Sequence, residues 1–156
     1  MTARALLIDS TARTVTEFGL EMPSNKQISD LVGGFFECAW REVENTLYVD
    51  EDGLHKAKTG FFRWSPRMDD WPLCGNGVLV GKELVDDEGE WIGMADVTLS
   101  IQLVTKLITW MSREQFDAWG KAHASDPAVV IAGDSSPAQI IERVGPMFAR
   151  MPRPKS

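Results

Sequence analysis

Cysteine, histidine and long apolar runs are scarce in this chain. Its two cysteines, Cys38 and Cys74, are too far apart for a C-x-x-C pair, which argues against a zinc site or a redox motif. The two histidines, His55 and His123, stand in no nucleophile or phosphotransfer pattern, and no G-x-S-x-G motif is present. No apolar run is long enough for a signal peptide or a membrane span. We therefore expect a cytoplasmic protein with no membrane partner, no cofactor and no recognisable catalytic apparatus.

Acidic side chains dominate the charge of the chain, whose net value is -7. The last twelve residues hold Arg150, Arg153 and Lys155 and no acid, so they contribute +3 and residues 1–144 carry -10. A body this acidic repels nucleic acid and anionic membranes, so we expect no direct nucleic-acid binding. The acids form either a solvated face that keeps the protein in solution or a surface for a basic partner.

The length of 156 residues and the ordinary apolar fraction of 44% predict one domain, which can bury roughly two-thirds of its unfolded surface. We expect this domain over residues 1–145, followed by a flexible basic tail over 146–156. Its predicted class is α+β, a mixed and mostly antiparallel sheet with two or three helices packed on one face. The residues expected in the core are Leu6, Ile8, Ile28, Leu31, Phe36, Cys38, Leu47, Val78, Val80, Leu103, Leu107, Phe116, Trp119 and Ile140.

Alternating or β-branched runs predict strands in the first half of the chain, and the first two are joined in a hairpin. Residues 56–76 have no clean period and contain Phe61, Phe62, Trp64 and Trp71, which predicts a long aromatic-rich loop. Loops of this length inside a compact domain are often functional. The strands are expected over residues 5–9, 13–18, 35–43, 46–49 and 78–85, with a further short one over 128–132.

Serine capping signals predict three helix starts. Ser-x-x-Gln patterns beginning at Ser24 and Ser112 are capping boxes, and Ser136 stands before a proline. The first helix is expected over residues 25–33, where a glycine pair can end it, and the second is expected to run to about Ala124.

Residues 97–111 fit two different periods. Their first part alternates like a strand, whereas Val104, Leu107 and Ile108 fit one face of a helix. The β-branched content favours a strand for much of the segment. Its apolar surface exceeds what one face of one element can bury, so it is either a central element covered on both sides or the interface of a homodimer.

Two short motifs resemble ion-binding or phosphate-binding loops without their full pattern. The run from Asp50 to Gly53 begins like a calcium loop, but its sixth and twelfth positions are His55 and Phe61 instead of Gly and Glu. The glycines of residues 75–77 precede a strand-like run instead of a helix, so a hairpin turn is favoured over a phosphate loop. Neither motif predicts a metal or nucleotide site by itself.

The motifs follow one another in a distinctive order. An opening A-L-L-I-D hairpin leads to T-L-Y-V-D-E-D-G-L, and an aromatic stretch then leads to P-L-C-G-N-G-V-L-V-G. This order resembles an uncharacterised family, domain of unknown function 3846, found in phages, plasmids and bacterial genomes. The resemblance covers about residues 4–95 and leaves 96–145 as an extension; it implies an accessory protein of a mobile element and supplies no activity. The residues that carry it are Leu47, Tyr48, Val49, Asp50, Gly53, Leu54, Pro72, Gly75, Asn76, Gly77 and Gly81.

Three functions are compatible with these observations. The favoured one is a non-enzymatic binding protein of a phage or mobile genetic element, which acts on a host protein or sequesters a nucleotide-like small molecule in counter-defence. One alternative is an acidic mimic of nucleic acid that inhibits a DNA-binding host enzyme. The other is an enzyme with an unrecognised site among Asp50, Asp52, His55 and Asn76.

The aromatic loop beside the glycine turn supplies the candidate ligand-binding residues. Trp64 and Trp71 would stack on a base, while the arginines and the turn amides hold a phosphate. Alternatively, the two tryptophans pin the loop to the core. The candidate residues are Arg63, Trp64, Arg67, Trp71, Gly75, Asn76 and Gly77.

Overall fold

Strands supply most of the regular structure of residues 2–56, 58–69 and 71–123, which the computed structural model describes. The strands there are β1 (Thr2–Asp9), β2 (Thr14–Glu21), β3 (Phe36–Arg41), β4 (Asn45–Asp50), β5 (Phe61–Trp64), β6 (Leu73–Cys74), β7 (Gly77–Gly81), β8 (Glu83–Val85), β9 (Trp91–Met94) and β10 (Ile108–Met111). The helices are α1 (Asn25–Val32), α2 (Ile101–Leu107) and α3 (Arg113–Ala122), and a 3-10 turn covers Gly53–His55.

A five-stranded antiparallel sheet forms the centre of the fold, in the order β2-β1-β7-β4-β3. Every residue of β4 and β7 is buried. Because successive side chains of a strand point to opposite faces, Val78 and Val80 reach one face and Leu79 reaches the other. The two strands therefore need apolar cover on both faces, which explains the continuous apolar sequence of β7 and the apolar run Leu47–Val49 of β4.

Each face of this main sheet is covered by a different layer. On one face, Ile28 and Val32 of α1 pack with Tyr48, and Met94 joins them from the β8–β9 hairpin. On the other face, Val104 of α2 packs together with the second sheet, whose order is β10-β5-β6. The α+β class and the mostly antiparallel pairing are confirmed, but the helices lie on both faces of the sheet instead of one.

The chain crosses from one face of the main sheet to the other at residues 95–96. Met94 belongs to the core on the α1 side, and Val97 belongs to the core on the α2 side. The crossing backbone lies directly against Gly81 at the end of β7, where any Cβ would overlap a main-chain carbonyl. Arg4 anchors the crossing, because its carbonyl accepts a hydrogen bond from the Val97 N–H at 2.9 Å. Only glycine leaves room for this approach.

Helix α1 confirms the expected first helix but not its capping box. Ser24 has helical backbone angles (φ -93°, ψ -14°), and its side chain makes no capping hydrogen bond. A capping serine typically has extended angles, from which its oxygen reaches the following N–H groups. The Gln27 side chain instead accepts the Glu21 N–H and donates to the Gly19 carbonyl, so it ties α1 to β2.

Two other helix-end signals are confirmed. Gly33 has a left-handed φ of 97° and ends α1, as the glycine pair predicts. The box formed by Ser112 and Gln115 is complete, with both side chains bonded to the backbone, and it opens α3.

The opening hairpin and the strands at residues 36–50 are confirmed, but two later expectations are wrong. The long loop over residues 56–76 contains β5 and β6, and the single strand over 78–85 is two strands, β7 and β8. The two errors have different causes. Strand β5 is completed by pairing with β10, a distant partner that no local pattern shows. Strand β8 instead leaves the main sheet and pairs with β9 in a separate hairpin, so the apolar run is divided after Gly81. The strand over 128–132, the helix from Ser136, core residue Ile140 and the tail over 146–156 lie outside the described residues.

Residues 101–111 form a helix followed by a strand, and residues 97–100 lead into them without regular structure, so the strand preference is wrong for α2. The Ser100 hydroxyl caps α2 by accepting a hydrogen bond from the Leu103 N–H at 3.1 Å. Val104 is fully buried, and Ile108 begins the strand that pairs with β5. Neighbouring helical residues point about 100° apart, and Leu103 is 43% exposed beside the buried Val104. The prediction that Leu103 lies in the core is therefore wrong.

Candidate ligand-binding site

The seven candidate residues fall into two groups at opposite ends of β5 and β6. One group lines a pocket of about 350 Å³ beside the loop that follows β5. The other group, residues 75–77, lies where β6 leads into β7, and its Gly75 N–H donates to the Gly60 carbonyl at 2.9 Å. The structure thus brings together Arg63, Trp64, Arg67 and Trp71, and it separates them from Gly75, Asn76 and Gly77.

A buried arginine stands in the wall of this pocket. The Arg67 side chain is only 3% exposed, and its guanidinium Nη2 lies 3.2 Å from the Asp69 carboxylate. Burial lowers the pKa of Arg67, and the charge of Asp69 acts in the opposite direction. Arginine stays protonated under such conditions, so the pocket wall holds a fixed positive charge. The Asp69 carboxylate partly offsets the free-energy cost of burying that charge.

The two candidate tryptophans play different parts in the pocket. Trp64 is 2% exposed and packs edge-to-face on Trp40, with the ring centroids 5.4 Å apart. Its ring belongs to the core and has no open face on which a base could stack. However, its indole N–H donates to no acceptor among the described residues. Trp71 is only partly buried, so it is the tryptophan of this pocket with ring surface left for stacking.

Sequence reasoning missed four residues of the pocket wall, namely Ser65, Met68, Asp69 and Thr109. Asp69 accepts the Trp71 N–H at 3.0 Å as well as the Arg67 guanidinium, so it shapes the loop and places both side chains. The Asp-x-Trp spacing is that of an Asx-turn, in which the aspartate side chain accepts the backbone N–H two residues later, and it could have indicated this role. Thr109 had no comparable signal, because it reaches the pocket only through the pairing of β10 with Arg63 of β5.

The other end of β5 and β6 is held by a buried carboxylate. The Asp50 side chain is fully buried, 2.9 Å from Lys56 Nζ and 3.0 Å from Lys58 Nζ. The same two ammonium groups donate to the carbonyls of Gly33 and Val32, at the carboxyl end of α1. Burial by itself would raise the pKa of the Asp50 carboxyl, but the hydrogen bonds from the lysines outweigh it and hold that pKa below its ordinary value.

The glycine turn is joined to the same end of α1. The Asn76 side chain donates to the Leu31 carbonyl and accepts the Ser10 N–H, both at 3.3 Å. The Ser10 hydroxyl donates to the Gly75 carbonyl. The turn therefore links the end of β1 to the end of α1, and its Gly75 N–H is engaged within the fold.

Residues suited to binding a metal ion do not gather in the described part of the chain. No group of three or more His, Cys, Asp and Glu side chains there could hold a metal ion. Of the residues considered for an enzyme, His55 is exposed, whereas Asp50 is enclosed by two lysines. No helix in the described part of the chain is long and apolar enough to cross a membrane.

The two cysteines are expected to be inert while the protein is folded. Both are buried, and burial raises the pKa of Cys38 to about 11 and that of Cys74 to about 12. Because the thiolate is the reactive form, iodoacetamide at pH 8 should modify neither in the native protein and both in denaturant. Mass spectrometry of the intact chain measures this, and rapid native alkylation of either thiol would contradict it.

The fold and the pocket define a domain with an antiparallel sheet covered on both faces and an arginine-lined cavity at the end of a smaller sheet. The family model described as Domain of unknown function (DUF3846) matches residues 1–108, and the chain belongs to this family. No curated protein and no solved structure matches the chain. The family match confirms the resemblance and extends it through α2, so most of β10 and all of α3 lie beyond it.

Proposed function

We propose that this protein is a non-enzymatic binding protein whose pocket beside β5 takes a small anion that carries a planar ring, the chemistry of a nucleotide. The observation that carries the proposal is that two arginines and a partly buried tryptophan line one pocket, namely Arg63, Arg67 and Trp71. The buried Arg67 guanidinium supplies a fixed positive charge beside the Asp69 carboxylate. A bound anion would gain charge-assisted hydrogen bonds from guanidinium groups, and a planar ring would gain a stacking contact with Trp71.

The size and charge of the pocket favour a ligand of mononucleotide size. Its volume of about 350 Å³ is near the lower end of the range for ligand pockets, roughly 300–1,000 Å³. Arg63 and Arg67 line the pocket together with Asp69, and the charges of Asp69 and Glu37 both act on Arg67, in a chain whose net charge is -7. An anion would find its favourable charge in this pocket, and Trp71 would supply the ring surface.

The proposed setting is the cytoplasm of a host cell, with the protein acting as an accessory factor of a phage or another mobile element. There it would sequester a nucleotide-like molecule in counter-defence, and it would do so as a homodimer. The support for this setting is the family membership and the type of genome in which the resemblance places the family. A host protein that inserts an acidic or phosphorylated side chain into the same pocket is the competing occupant.

Calorimetric titration with ligands that separate the ring from the anion tests the proposal. Nucleoside monophosphates should bind, whereas adenosine and ribose 5-phosphate, each with half of the chemistry, should bind much more weakly. Arg63→Ala and Trp71→Ala should each weaken binding by about tenfold or more, because each removes one recognised group.

Two matched variants control for general damage to the fold. Arg41→Ala removes a partly buried arginine that does not line this pocket, and Trp91→Ala removes a partly buried tryptophan on the α1 side of the main sheet. Both should bind nucleoside monophosphates as the wild type does. If none of the four monophosphates binds the wild type at about 1 mM, the proposal of a nucleotide-like ligand is wrong.

A further inference from the structure

Helix α3 lies against both the second sheet and the pocket loop. The Arg113 guanidinium carbon is 5.0 Å from the centroid of the Phe61 ring, and the Phe116 ring stacks on Phe61 at 4.3 Å. Three residues further along the helix, Trp119 contacts Trp71 instead, with centroids 5.8 Å apart and planes at 57°. Residues three apart share a helix face, so one face of α3 fastens the helix to β5 and also reaches the pocket.

Trp71 is thereby held both at its backbone and at its ring. Its backbone N–H is fixed by the Asp69 carboxylate, and its ring lies against Trp119. Trp119 is held in turn by His123, whose ring stacks on it at 4.1 Å and whose Nδ1 lies 2.8 Å from the Trp119 carbonyl oxygen. An aromatic series of His123, Trp119 and Trp71 therefore runs from the end of α3 to the pocket wall.

We propose that Trp119 is a positioning residue for ligand binding: it holds the Trp71 ring where that ring can stack on the ring of a bound anion. This inference rests on the proposed function of the pocket. Trp119 does not line the pocket, so it acts only through Trp71. Because the family model ends at residue 108, the part of the site that selects for a ring is completed by residues outside the family match.

A double-mutant cycle on binding, with adenosine 5′-monophosphate as the probe and the full chain as the protein, tests this role. Trp119→Ala should raise the dissociation constant roughly three- to tenfold, the range expected from the loss of one aromatic pair. The same change should have no further effect in a Trp71→Ala background, because Trp119 acts through Trp71. Trp119→Phe should restore most of the affinity, since a ring is restored at the contact.

Phe116→Ala is the matched control on the same helix, because Phe116 contacts Phe61 and not Trp71. It should lower the thermal midpoint and leave the dissociation constant unchanged, which separates loss of α3 stability from loss of positioning. Equal affinity of the wild type and Trp119→Ala would overturn this inference alone. An additive effect of the two tryptophan changes would also overturn it. Failure of the wild type to bind the probe while other monophosphates bind would refute a role in adenine stacking, and failure with all of them would overturn the proposed function as well.

Discussion

Gly81→Ala should leave little folded protein, with a loss of more than about 4 kcal/mol in the free energy of unfolding. A Cβ at this position would overlap the carbonyl oxygens of Ala95 and Asp96, which are main-chain atoms and cannot rotate away. These residues are the crossing between the two faces of the main sheet, so their displacement would disturb Met94 on one face and Val97 on the other. Urea unfolding followed by tryptophan fluorescence measures the effect.

Gly120→Ala is the matched control, because it makes the same chemical change where there is room. Gly120 lies inside α3, and no atom of the described residues outside the helix stands within 4 Å of the place its Cβ would take. Alanine is favoured over glycine in a helix by roughly 1 kcal/mol, so this variant should be slightly more stable than the wild type. A Gly81→Ala protein with the wild-type urea midpoint would show that the crossing at residues 95–96 can move.

Asp50→Asn should lower the free energy of unfolding by about 3 kcal/mol, the second of the two largest effects. The change leaves the Lys58 ammonium, which is mostly buried, without its carboxylate and weakens the link from Lys56 and Lys58 to the end of α1. Breaking a buried ion pair by removing one partner typically costs about 3–5 kcal/mol, and the partial exposure of Lys56 reduces this. Asp30→Asn, which breaks the exposed pair with Lys26, should change the stability very little.

The contribution of Asp50 should also depend on pH in a defined direction. Its pKa is lower in the folded protein than in the unfolded chain, where a value of about 4 is expected. The stability that it contributes is therefore complete above that unfolded value and is lost as the pH falls through the folded pKa. The difference in unfolding free energy between wild type and Asp50→Asn should be constant from about pH 5 to 7 and should shrink below about pH 4. A difference that grows towards acid would contradict this assignment.

The two Ser-x-x-Gln patterns show how far local sequence determines a helix end. At Ser112 the box forms as predicted, and the Gln115 side chain accepts the Ser112 N–H. At Ser24 the same pattern fails, because the Gln27 side chain finds the backbone of Gly19 and Glu21 in the neighbouring strand. Because the residue types are identical, the tertiary neighbours of the glutamine decide whether the capping box forms.

The two tryptophans of the candidate site differ for the same reason. The sequence makes both candidates for stacking on a base, since both stand in the aromatic segment after β4. Trp64 is the last residue of β5 and faces the core with Trp40, whereas Trp71 stands in the loop and meets Trp119 from α3. The residue type alone does not show whether a tryptophan ring lies in the core or beside the pocket.

What the sequence alone determined comes from short-range signals. The opening hairpin, the glycine end of α1, the box at Ser112 and the family motifs each depend on residues close together in the chain, whose backbone preferences act before any long-range contact. These signals were sufficient for the α+β class and for the family.

Only the tertiary structure decided where the helices lie, what residues 97–111 become and which candidate residues share a pocket. The main sheet is apolar on both faces, so α1 had to cover one face and α2 the other, and a helix over Ile101–Leu107 met that need in spite of its β-branched residues. The pocket wall likewise depends on Thr109 pairing with Arg63, which is distant in the chain. Burial is a property of the assembled chain and not of any single segment, so it can override local preference wherever the two conflict.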